Sequence, residues 1–129
     1  MIMPKKILIA DDEPFIRTLL VQTLEDFEDK GVELLTASDG LDAWEVAQEE
    51  LPNLIVLDVM MPRMSGYQVC EHIKSEPTLD GTYVIMLTAK GQQIDRERGE
   101  QVGADEYVTK PFDPDYLIER AEIVLGISL

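Results

Sequence analysis

Short apolar runs alternate with amphipathic stretches about five times along this chain. The runs cover residues 7–10, 33–37, 54–57, 83–87 and 107–109. Within 54–57 and 84–87 every position is apolar, the pattern of strands buried on both faces. Ile16, Leu19, Leu20, Thr23, Leu24 and Phe27 recur at helical spacing, with Asp12 placed to cap and Pro14 to sit in the first turn. Trp44, Ala47 and Leu51 mark a second helix, and Gly66, Val69, Cys70 and Ile73 a third. Asp113-Pro114 opens the last helix, whose buried face is expected at Leu117, Ala121 and Val124. Strand–helix alternation of this kind predicts an α/β fold: a parallel sheet, helices on both sides, right-handed crossovers. At 129 residues the chain suits one domain, residues 1–129.

One amphipathic stretch is different. Residues 91–101 read GQQIDRERGEQ, with Ile94 the one strong apolar anchor and Gly99 in the interior. A mid-helix glycine costs about 1 kcal/mol against alanine, and little burial offsets it. Such a segment is either an exposed, marginal helix or an element drawn from the low-stability end because it must shift.

Charge narrows the partners. The chain carries 11 basic and 26 acidic residues, a formal charge of −15. Such a surface repels phosphate backbones and anionic lipid, which argues against direct nucleic-acid or membrane binding; it also serves plain solubility. No apolar run approaches the roughly 20 residues of a membrane span. The start reads as a basic pair before a strand, not a signal peptide. With Cys70 as the only cysteine, no intramolecular disulfide can form. These features predict a soluble, cytoplasmic protein.

In a parallel α/β sheet, ligands bind beyond the carboxyl ends of the strands, near the point where strand order reverses. The expected strand ends carry Asp11-Asp12, Asp58, Thr88 and Lys110. Taken singly, each has an ordinary explanation: Asp12 as a helix cap, Asp58 opening a loop, Thr88 bonded to backbone, Lys110 solvated. Together on one edge they are harder to explain that way. Clustered carboxylates raise one another's pKa unless a cation sits among them, and hard oxygen ligands suit Mg²⁺. A carboxylate can also attack phosphorus to form an acyl phosphate. Phosphoryl transfer chiefly requires the equatorial oxygens to be neutralised and the attack held in line. Mg²⁺, the Lys110 ammonium and the Thr88 hydroxyl can serve one oxygen each.

These pieces resemble response-regulator receiver domains of two-component signalling, chemotaxis-regulator-like, over nearly the whole chain. The matching segments are ILIADDE, LPNLIVLDVMMPRMSG, VIMLTAK and GADEYVTKPF, at separations 58 − 12 = 46, 88 − 58 = 30 and 110 − 88 = 22. The resemblance implies a three-layer (βα)5 flavodoxin-like fold with strand order 2-1-3-4-5. It implies that Asp58 takes a phosphoryl group from a phosphohistidine on a sensor histidine kinase or phosphotransfer protein, with Lys110 and Thr88 assisting. Mg²⁺ would be held by Asp12 directly, by Asp11 mostly through water, by Asp58 and by the backbone carbonyl of Met60. Lys110-Pro111 is expected to be cis, as in the family. The resemblance further implies that on phosphorylation Thr88 moves inward and Tyr107 swings toward the fourth helix, residues 91–101 serving as the bistable element. Without the resemblance, Tyr107 reads as a half-buried strand aromatic.

Met60 and Lys90 stand two residues after Asp58 and Thr88, flanking the path of an attacking water. Bulky Met60 is expected to slow loss of the phosphoryl group. His72 reads as a surface residue, Cys70 as a small packed one and Trp44 as core. Two other classes remain for comparison. An aspartyl-phosphate hydrolase wants an acid at position 60; a non-phosphorylated pseudo-receiver has no need for all of Asp11, Asp12, Asp58, Thr88 and Lys110. Residues 91–129 hold 4 basic and 9 acidic side chains, so the family's output face is acidic. A protein effector or effector domain is therefore expected over DNA, with homodimerisation through that face (fourth helix, fifth strand, last helix) left open.

Overall fold

Five parallel strands form one sheet, the second along the chain at one edge and then the first, third, fourth and fifth, so the resemblance's strand order holds. The computed structural model describes residues 3–89 and 102–129. The strands are β1 (Lys6–Ala10), β2 (Glu33–Ala37), β3 (Leu54–Asp58), β4 (Tyr83–Ala89) and β5 (Glu106–Lys110). The helices are α1 (Pro14–Leu24), α2 (Gly40–Glu50), α3 (Gly66–Ser75) and α4 (Pro114–Leu125). The stretch 91–101 and Lys90 lie outside the described residues.

The alternation of strand side chains sorts the core into two layers. Leu8, Ala10, Ile55, Leu57, Val84 and Met86 pack with Ala43, Ala47, Val69, Cys70 and Ile73 of α2 and α3. Ile7, Ile9, Leu54, Val56, Ile85 and Leu87 pack with Leu20, Leu24, Leu117, Ala121 and Leu125 of α1 and α4. Residues 54–57 and 84–87 are wholly buried. Each such aliphatic side chain contributes about 1.5–3 kcal/mol, so β3 and β4 anchor the molecule. The continuous apolar runs carried that information.

Helix ends were less legible. Asp12 is not the cap of α1: Glu13 holds the N-cap position without a side-chain bond. Asp11 shapes that turn instead, its Oδ1 accepting the Glu13 N–H at 2.9 Å. Phe27 is buried, but in a 3-10 segment (Glu25–Lys30) that follows α1. Leu51 is not core: it is the left-handed C-cap of α2, with φ 51° and 49% of its surface exposed. Leu125 rather than Val124 completes the buried face of α4. Trp44 is partly buried, and its indole stacks on the exposed His72 with ring centroids 5.1 Å apart. The remaining caps follow ordinary chemistry: Asp39 accepts from the Asp42 N–H, Asp113 from the Asp115 N–H, and Ser65 with Gln68 forms a capping box. Lys110-Pro111 is cis. Among the described residues, no helix is long and apolar enough to cross a membrane.

Candidate functional site

The order of the strands sets where a site can form. From β1 the chain runs outward to β2, then returns to add β3 on the other side of β1. Helices therefore diverge above the carboxyl ends of β1 and β3, leaving a crevice there. Asp11 follows β1 directly, and Asp58 is the last residue of β3.

Asp11 has no exposed surface and Asp58 only 5%. Buried carboxylates must be neutralised or compensated. Part of the compensation is Lys110, at the end of β5. Its Nζ lies 3.0 Å from Asp58 Oδ1, 3.1 Å from Asp11 Oδ2 and 3.5 Å from Glu13 Oε1. Alternation explains the reach: Lys110 shares a strand face with the buried Val108, on the α1 and α4 side. Arg17 adds a bond from its guanidinium to the Asp11 carbonyl at 2.7 Å, fixing the turn that carries the acids.

One ammonium is not enough for the acids around it. Ligand oxygens from Asp11, Asp12, Glu13 and Asp58 all lie within 4.8 Å of one another. Burial first, and then the Asp11 charge, push the Asp58 carboxyl up to about 6, against the opposing pull of Lys110. Burial likewise holds Asp11 above the ordinary carboxyl range, although the Glu13 N–H and Lys110 oppose it. Burial draws Lys110 downward, yet its bonds and charge interactions with Asp58 and Asp11 outweigh this and raise its pKa. These two carboxyls thus bind protons more tightly than free aspartates do, and a cation beside them would oppose that shift. An all-oxygen, partly open set of this kind fits a hard divalent ion such as Mg²⁺.

Of the residues singled out in the sequence, Asp11, Asp12, Asp58 and Lys110 come together here. Thr88 is buried one position beyond Leu87, the register partner of Asp58. Tyr107 pairs in register with Met86, and Thr88 with Thr109. By alternation Thr88, Met86 and Tyr107 therefore share the α3 side of the sheet, opposite to Lys110. Met60, two residues after Asp58, is 62% exposed. Two contributors were missed. Glu13 joins the acidic group, and its place directly after Asp11-Asp12 was a usable signal. Arg17 had none, since an arginine on an exposed helix face looks solvated.

A family model described as the response regulator receiver domain matches residues 7–122. The chain is 43% identical over 126 residues to the alkaline phosphatase synthesis transcriptional regulatory protein PhoP of Bacillus subtilis (strain 168), covering 98% of this chain and 50% of that protein. It spans about half the length of the curated relatives it matches. One solved structure is the receiver domain of the sensor histidine kinase PA1611 from Pseudomonas aeruginosa PAO1, with a magnesium ion coordinated in its active site cleft. It matches with a TM-score of 0.84 at 27% identity, over 96% of this chain and 99% of that one. The BeF3-activated DrrB receiver domain matches with a TM-score of 0.81 at 35% identity, over 96% and 99% of the two chains.

Proposed function

This chain belongs to the response regulator receiver domain family, and from that premise we propose that Asp58 is its phosphorylation site. The donor is a phosphohistidine on a sensor histidine kinase or phosphotransfer protein. One observation carries the reading: a buried carboxylate at the end of the central strand with an ammonium 3.0 Å away, inside a group of four acids.

In the transfer, an Asp58 oxygen forms a bond to phosphorus while the phosphorus–nitrogen bond to the donor imidazole breaks. The imidazole keeps the electron pair and takes a proton from water. Lys110 already lies beside the Asp58 carboxylate, so it neutralises charge on the incoming group without reorganising. Thr88, buried at the end of β4, donates its hydroxyl to a phosphoryl oxygen once one is present. Asp12, Asp11, Asp58 and the Met60 carbonyl would hold Mg²⁺, which supplies charge neutralisation to the transferred group. Receiver domains are signalling phosphoacceptors rather than enzymes in the ordinary sense. The output follows from Thr88 and Tyr107, which share one sheet face: movement of the first makes room for the second. Residues 1–129 act as one receiver, either alone or ahead of an effector domain, as the length of its relatives suggests. We read its setting as cytoplasmic.

The test is incubation with Mg²⁺ and acetyl phosphate, followed by intact mass. A gain of one phosphoryl group, lost in Asp58→Ala, is expected. A chain that stays unmodified works as a pseudo-receiver, and steady release of phosphate from many esters makes it a hydrolase.

A further inference from the structure

The loop that follows Asp58, residues 59–65, is pinned to its surroundings at both ends. A Cβ on Gly66 would lie 2.2 Å from the Asp58 carbonyl oxygen, and one on Gly40 would lie 1.6 Å from the Met64 carbonyl oxygen. Glycine at both positions lets backbone meet backbone. The Gly66 N–H donates to the Val59 carbonyl at 2.9 Å, and the Gly40 N–H to the Pro62 carbonyl at 3.3 Å. Between these pins sits Arg63, with φ 68°. That left-handed conformation suits glycine or asparagine and strains an arginine.

The guanidinium explains why an arginine stands there. Arg63 Nε donates to Asp39 Oδ2 at 3.0 Å and Nη2 to Asp39 Oδ1 at 3.2 Å, and Nη2 also lies 2.9 Å from Oδ2 as an ion pair. Asp39 is also the N-cap of α2, accepting the Asp42 N–H at 2.8 Å. A cap alone would not require a guanidinium, and a left-handed turn alone would be easier with glycine. Most exposed ion pairs contribute little, but a two-pronged arginine–carboxylate bond adds direction as well as attraction.

We infer that the Arg63–Asp39 pair is a clasp that positions the 59–65 backbone, the Met60 carbonyl included, for the cation. This rests on the reading of the Asp58 pocket as a Mg²⁺ site. Arg63 and Asp39 are positioning residues: neither reaches the metal, and both set the loop that does. Because coupling is reciprocal, the bound cation also tightens the hold of the loop on the first turn of α2. That helix then responds to the occupancy of the pocket without touching it.

Calorimetric titration of the whole chain with MgCl2 tests the clasp, alongside thermal melts without metal. Arg63→Gln and Asp39→Asn are each expected to weaken Mg²⁺ binding by about threefold to fivefold, the size such a pair can supply. The double variant should lose no more than either single one, since both remove the same contact. Arg63→Gly is the decisive case, because it relieves the strained φ while removing the guanidinium. Weakened binding in this variant supports the clasp, and wild-type binding overturns it. Additive losses in the double variant, or unchanged affinity throughout, also overturn it. A structural role alone would lower the melting midpoint and leave Mg²⁺ affinity untouched. Asp12→Asn is the control on the premise: if it binds Mg²⁺ as tightly as wild type, the magnesium reading falls and takes the clasp with it.

Discussion

At Asp58 two opposing demands meet in one carboxyl group. On the proposed function the group must be anionic to attack phosphorus, yet burial and the Asp11 charge lift its pKa to about 6. In the unfolded chain an aspartate titrates near its ordinary value of 3.8. Between these values the folded, metal-free protein keeps a proton that the unfolded chain has lost. Stability from this group is therefore fully present below the lower value, and is lost as pH rises through the higher one. The loss is on the order of 1–2 kcal/mol, because the pocket opens to water and screening trims the full effect. Asp58→Asn should accordingly be more stable than wild type in EDTA at pH 7.5, and the gap should close toward pH 4. Denaturant unfolding at both pH values checks this. For Met60, exposed two residues after Asp58, the proposed function predicts an effect on a rate instead. Met60→Asn should shorten the phosphoryl half-life, by admitting and orienting water; an unchanged or longer half-life from a dephosphorylation time course sinks that role.

The elements differ in how plainly the sequence declared them. The runs 54–57 and 84–87 of β3 and β4 were legible because burial on both faces leaves no room for a polar residue there. Helix boundaries were not, since they depend on which groups meet in space. Leu51 looked like a third core position of α2, yet the helix ends one residue before it. At φ 51° and half exposed, it does the work of a C-cap glycine. Leu51→Gly should therefore stabilise the protein by about 0.5–1 kcal/mol, the strain released exceeding the partial burial lost. Gly66 is the opposite case. A methyl there would meet the Asp58 carbonyl at 2.2 Å, with backbone on both sides and nothing able to yield. Gly66→Ala should cost about 3 kcal/mol or more, or displace Asp58. Thermal melts of the two variants should move in opposite directions.

For the molecule as a whole, the three aspartates and Lys110 could be foreseen because a parallel sheet delivers all its strand ends to one edge. The parts contributed by tertiary contact alone, such as Arg17 on the Asp11 carbonyl and Arg63 on Asp39, left no mark in the local pattern. The same whole-molecule view raises a difficulty for detecting metal binding. With a formal charge of −15 the chain repels itself, so any added salt should stabilise it by screening. Specific occupancy adds a second gain, about 1.4 kcal/mol at ten times the dissociation constant. For a chain of this size that raises the melting midpoint by several degrees. The two effects separate by valence and by variant. At matched ionic strength MgCl2 should outperform NaCl in wild type, and the excess should vanish in Asp12→Asn while the NaCl response persists. Equal responses to both salts in wild type would mean that the acids at the sheet edge act only as surface charge, and that the pocket has no claim on a cation.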